Sequence, residues 1–170
     1  LPGKPAQQQV RALARGEDLP EEVSARLSGS KSYAPEMQAD LLEELAASHC
    51  GALPREALAP MAQVQRFWDI WMAATMQQAT AAPLDAEGAV LIAGSGHVRE
   101  DRAVPWYLEG DSVTVALVEV VAGEDKAADY PAFDSRLFDY VWFTPRVDEK
   151  DPCEAFTKRP ADKAADDDTD

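Results

Sequence analysis

The chain has 170 residues, 46% hydrophobic and 28% charged, which is enough for a domain with its own core and unlike a disordered chain. Its 31 acidic and 16 basic residues leave a formal net charge of -15, a surface that repels phosphate backbones and anionic lipid and so excludes general nucleic-acid binding. No apolar run approaches the roughly 18 residues needed to cross a bilayer as a helix.

The first half reads as helix. AQQQVRALAR and its flanks span residues 5 to 15, with Val10, Leu13 and Ala14 on one face and Gly16 following. DLPEEVSARLSG opens at a proline, carries Glu21 and Glu22 in its first turn and closes at Gly29. Pro35 opens a third helix, in which Met37, Leu41, Leu42 and Leu45 recur at three- and four-residue spacing before Gly51. The fourth has the strongest period: Met61, Val64, Phe67, Trp68, Trp71, Met72, Thr75 and Met76 form an apolar stripe, with Gln63, Gln65, Asp69, Gln77 and Gln78 mostly off it. Its tryptophans either pack in a core or wall a hydrophobic ligand site. Arg66 and Asp69, three apart, either form a local ion pair or leave Arg66 facing an anion such as a carboxylate.

After Pro83 the period changes. AVLIA (89–93), SVTVALVEVV (112–121) and FDYVWF (138–143) read as three short strands, the first covered on both faces. The expected class is α/β, with helices packed on a small, mainly parallel sheet. Three strands preceded by four helices make that sheet thin, so the chain reads as half of a larger sheet. The domain is expected over 1–156, and TKRPADKAADDDTD makes 157–170 a self-repelling acidic tail. Cys50 and Cys153, outside any CxxC pair, form one disulfide in an oxidising compartment or remain buried thiols.

The chemistry concentrates in AGSGHVREDRAVPWYL. Gly94 and Gly96 stand where the first strand would end, the place where open α/β sheets have their crevices. His97 is there either a structural hydrogen-bonding residue or a ligand-facing imidazole. GSGHVR lacks the third glycine of a dinucleotide fingerprint, and HExxH, GxSxG and GxxxxGK[ST] are absent. His49, in ASHCG at a helix end, reads as a cap. Tyr107 and Tyr140, with Tyr130 behind them, are the candidate phenols.

Taken in order, QRFWDIWMAATM, AVLIAGSGHVREDRAVPWYL and DYVWFTP followed by DPCE resemble the ChaN-like haem-binding family of the Tiki/TraB-type superfamily, over residues 5 to about 155. The resemblance falls on Arg66, Trp68, Asp69, Met72 and Ala73, on Gly94, Gly96 and His97, and on Val104 and Pro105. It implies the C-terminal portion of a larger α/β domain, because family members carry a further glycine-glutamate-x-histidine segment upstream. It also implies a cell-envelope protein, periplasmic or outer-membrane-associated and often a lipoprotein, that binds haem for iron acquisition. Haem held between subunits with tyrosine on the iron would make the partner a second copy or the absent upstream half. The residues expected around such a haem are His97, Tyr107, Tyr140, Arg66, Trp68, Trp71, Trp106, Gly94 and Gly96, with no catalytic residue and no separate metal site assigned. The alternatives are a metal-dependent hydrolase of the Tiki/TraB type and a noncatalytic structural module in which His97 braces the sheet.

Overall fold

A computed structural model of the protein describes residues 7–17, 21–81, 88–147 and 153–154. Four helices come first: α1 (Gln7–Arg15), α2 (Glu21–Gly29), α3 (Pro35–Ser48) and α4 (Arg55–Ala81). Their ends follow the local chemistry. Gly16 takes φ +65° and its N–H donates to Leu13 O at 3.1 Å, closing α1. Pro35 starts α3, where its missing N–H is harmless, and Gly51 at φ +65° donates to Ala46 O at 2.8 Å beyond its end. His49 caps α3 with Nδ1 2.8 Å from Leu45 O, as its position at a helix end predicts. The α4 helix begins well before Met61 and contains Pro60. The carbonyl that Pro60 cannot serve belongs to Glu56, an exposed residue in the first turn.

The 27-residue α4 is the hub, packed by α1, α2, α3 and the short α5 (Ala103–Tyr107). Leu41, Leu45, Leu58 and Ala62 form one core with α3, while Leu13, Val23 and Phe67 form another with α1 and α2. Because neighbours enclose α4 on several sides, its buried set is Leu58, Ala62, Phe67, Asp69, Ile70 and Ala73 rather than the tryptophan-methionine stripe. Asp69, expected off the apolar face, is fully buried.

The sheet has two strands, β1 (Val115–Glu119) and β2 (Tyr140–Thr144), parallel and in register from Val115 opposite Tyr140 to Glu119 opposite Thr144. The α/β class holds. The first expected strand, 89–93, does not form and is not covered on both faces: residues 88–94 carry no strand hydrogen bonds, and Val90 and Ile92 are 91% and 93% exposed. Strand structure needs a neighbour to receive its backbone groups, and among the described residues none lies beside this segment. Instead, Gly88–Ala93 faces β1 across a groove of about 670 Å³.

One face of the sheet carries Ala116 and Phe143, the latter 5.0 Å from the Tyr130 ring. Tyr130 is buried, with its hydroxyl accepting from Val121 N and donating to Glu124 O, which makes it structural. Cys50 and Cys153 are disulfide-bonded with Cα atoms 5.6 Å apart, which resolves the alternatives that parity left open. The expected tail, 157–170, lies outside the described residues.

Candidate functional site

The extended segment ends in a 3₁₀ turn, Ser95–His97, closed by His97 N donating to Gly94 O at 2.9 Å. The two glycines differ. A Cβ on Gly96 would lie 3.1 Å from Glu44 Oε1 and 3.5 Å from Gln65 Nε2, so its absence lets side chains of α3 and α4 close on the turn. A Cβ on Gly94 would meet nothing within 4 Å, and no close approach requires glycine there.

His97 is held against α4. Its Nδ1 lies 2.6 Å from Asp69 Oδ1, and the Gln65 amide nitrogen sits 3.2 Å from the same atom while donating to Gly96 O at 3.3 Å. An ionised carboxylate can only accept, so against ionised Asp69 the proton of the neutral ring resides on Nδ1. The opposite nitrogen, Nε2, keeps its lone pair and has no hydrogen bond among the described residues, on a side chain 26% exposed. Burial pushes the Asp69 carboxyl up from its ordinary range, and the His97 hydrogen bond and the charges of His97, Arg102 and Arg66 only partly offset this. Its second oxygen, Oδ2, is buried without a partner among the described residues.

A second group forms where α5 meets α3 and α4. Arg66 Nε donates to Tyr107 OH at 3.2 Å, its Nη2 donates to Lys31 O at 3.3 Å, and its guanidinium lies 5.1 Å from the Tyr33 ring centre. Of the two readings open for Arg66, the local pair with Asp69 does not form: Asp69 turns inward to His97, and Arg66 reaches Tyr107 and Lys31 O. Tyr33 stacks on Tyr107 at 6.0 Å and meets Trp106 edge-on at 6.5 Å. Lys31 Nζ donates to Trp106 O at 3.1 Å. Tyr33 OH accepts from Ala103 N at 3.0 Å, and burial, with Tyr107 and Asp69 nearby, raises its phenol far above the ordinary range. Ala103 itself sits at φ +69°, a conformation costly for a residue with a Cβ.

Between the two groups runs an ion-pair network. Glu44 accepts from Arg99 Nη1 at 2.5 Å and from buried Arg102, and Arg99 also binds Asp101 at 2.6 Å. Asp69 Oδ2 is thus one of several buried polar atoms here without a partner, alongside Arg102 Nε and Trp106 Nε1.

The predicted site residues separate. Gly96 and His97 meet α4, and Arg66, Tyr107 and Trp106 assemble around Tyr33. Trp71 goes elsewhere: its ring lies 6.1 Å from Phe67 with the Arg26 guanidinium 4.6 Å away, in the α1–α2 core. Tyr140 lies on the exposed face of β2, and Trp68 is half-buried on α4 without a ring contact to Trp106 or Tyr107 among the described residues. Sequence reasoning missed Gln65, Tyr33, Glu44 and Arg102, and did not pair Asp69 with His97. An acid beside Ile70 and between Ala62 and Ala73 on an enclosed helix was the available signal for Asp69. Among the described residues no three His, Cys, Asp or Glu side chains converge to hold a metal ion.

Residues 4–108 match the model of a family described as haem-binding uptake, Tiki superfamily, ChaN. The matched stretch contains Asp69, His97, Arg66 and Tyr107 and stops before β1, short of the span expected from the sequence. No curated protein and no solved structure matches the chain. With more than half of its length matched, and with the histidine, arginine and tyrosine of both groups inside that match, the chain belongs to the ChaN family of haem-binding uptake proteins in the Tiki superfamily.

Proposed function

We propose that this protein binds haem noncatalytically, with His97 Nε2 as the nitrogen presented to the iron. The observation that carries the reading is the 2.6 Å contact between His97 Nδ1 and buried Asp69. Metal-bound histidines use their second nitrogen in this way: a carboxylate takes the proton, fixes the tautomer and raises the basicity of the ligating nitrogen. The neighbouring group suits the rest of a porphyrin. Tyr33, Trp106 and Tyr107 offer aromatic surface, and Arg66 and Lys31 are cations suited to propionates. When bound, haem supplies the iron centre and its redox and ligand chemistry. The chain's own residues orient the donor, keep its proton on Nδ1 and hold a positive rim.

A cell-envelope location, periplasmic or outer-membrane-associated, belongs to the same proposal, as does a role in iron acquisition. The Cys50–Cys153 disulfide supports the location, because such bonds persist in oxidising compartments. Fractionation of the native host tests it, and recovery with the cytosolic fraction would refute it.

Titration with hemin, followed by the Soret band, tests the binding. Saturation at one haem per chain, or at one per two chains if copies share it, is expected, with affinity falling at least tenfold in His97→Ala. Absence of saturable binding, or a His97→Ala titration identical to the wild type, would overturn the assignment and leave a structural module.

A further inference from the structure

We propose that Glu44 on α3 is a positioning residue for His97, fixing the loop on both sides of the imidazole so that Nε2 faces its ligand. The inference rests on His97 as the donor presented to haem, and it gives that donor a support from outside α4.

Glu44 reaches the loop because of its place on α3. Leu41 and Leu45 turn into the core, and Glu44, one turn beyond the first and adjacent to the second, lies at the border of that buried face. Its two oxygens serve different partners. Oε1 stands over Gly96, 3.1 Å from the place a Cβ there would take. Oε2 accepts from Arg99 Nη1 at 2.5 Å and from Arg102 Nη2. One carboxylate therefore faces the residue before His97 and binds both arginines after it.

Burial makes the second of these ties strong. The Arg102 side chain is 2% exposed, and a guanidinium so far from water is stable only beside an anion. Among the described residues its hydrogen-bond acceptor is Glu44, since Asp101 stands 3.7 Å from Nη1 and Nε has no partner. The competing anion is Asp69, whose buried Oδ2 has no partner and whose carboxylate is stabilised by the Arg102 charge. Glu44 holds the guanidinium by Nη2 and so leaves Asp69 to His97. The loop has an independent tie, Glu100 N donating to Leu137 O at 2.8 Å. Loss of the Glu44 charge therefore shifts the loop against α3 without unfolding it.

The test compares Glu44→Gln with Glu43→Gln, which removes the same charge from an exposed neighbour on the same helix. In the isotope-labelled, haem-free chain, whose histidines are His49 and His97, ring-nitrogen NMR reports the tautomer. With Asp69 ionised, wild type and Glu43→Gln are expected to keep the His97 proton on Nδ1. Glu44→Gln should show both tautomers and faster exchange of the His97 N–H. Its hemin affinity should fall about fivefold or more, and the same substitution should change nothing in the His97→Ala background. Arg99→Lys keeps the charge but cannot bridge Glu44 and Asp101 as a fork, and it should reproduce these effects if Glu44→Gln disturbs the fold. A residue that only stabilised the fold would lower Tm and leave the ring tautomer alone. Ring spectra of Glu44→Gln matching those of Glu43→Gln, or an affinity loss that persists without His97, would overturn the proposal. Absence of hemin binding by the wild type would refute the haem reading alone, and the ring spectra would still decide the role of Glu44.

Discussion

His97 Nδ1 and Asp69 Oδ1 stand 2.6 Å apart, joining a turn at the end of an extended segment to the buried face of the central helix. Everything proposed for His97 depends on which ring nitrogen carries the proton. Asp69→Asn tests this directly, because an asparagine can turn its N–H toward Nδ1 and move the ring proton to Nε2. Hemin affinity is expected to fall about 10- to 100-fold with the fold retained, the range typical of losing the carboxylate that hydrogen-bonds a metal-binding histidine. Unchanged affinity in an absorbance titration would mean that Asp69 only braces the turn.

The same carboxyl links stability to pH. Its folded pKa is raised by burial, so the native state binds the proton more tightly than the unfolded chain does. Stability contributed at this site therefore falls as pH rises from the ordinary carboxylate range through the raised value, and is constant above it. Asp69→Asn lacks the term. The difference in Tm, variant minus wild type, should become more positive as pH rises above the ordinary carboxylate range. A difference that does not change with pH would show that Asp69 does not titrate in that window.

The disulfide closes a sequence separation of 103 residues. Constraining so long a loop in the unfolded chain typically stabilises by about 2–4 kcal/mol. Urea denaturation of Cys50→Ser with Cys153→Ser should show a loss of that size, matched by the reduced wild type. A loss below about 0.5 kcal/mol would place the stabilisation elsewhere.

Two aromatic truncations should separate core from open surface. Phe67 is 1% exposed between α1, α2 and α4, and Phe67→Ala should cost about 3–5 kcal/mol. Trp142→Ala, on the uncovered face of β2, should stay within about 0.5 kcal/mol. Equal costs by chemical denaturation would contradict the burial described here.

The glycines beside His97 give a matched comparison. Gly94→Ala should leave hemin affinity and stability nearly unchanged, since its Cβ meets nothing within 4 Å. Gly96→Ala pushes against the flexible end of Glu44 at 3.1 Å and should cost about 1 kcal/mol while loosening the His97 turn. Equal effects of the two substitutions on Tm would show that the contact with Glu44 carries no weight.

By itself the sequence determined the local elements. Prolines and glycines set the ends of α1 and α3, helical periodicity located all four long helices, and β-branched and aromatic runs located β1 and β2, because these signals act within a few residues. The GSGH corner was legible for the same reason. Tertiary structure decided the rest. Val90 and Ile92 have the composition of a strand and still form none, since a strand exists only where another strand receives its backbone groups. Arg66 and Asp69 have the spacing of an ion pair and still part, because enclosure of α4 turned one toward His97 and the other toward Tyr107. A one-dimensional pattern records which groups can pair, and only the packing of distant segments selects the pairs that form.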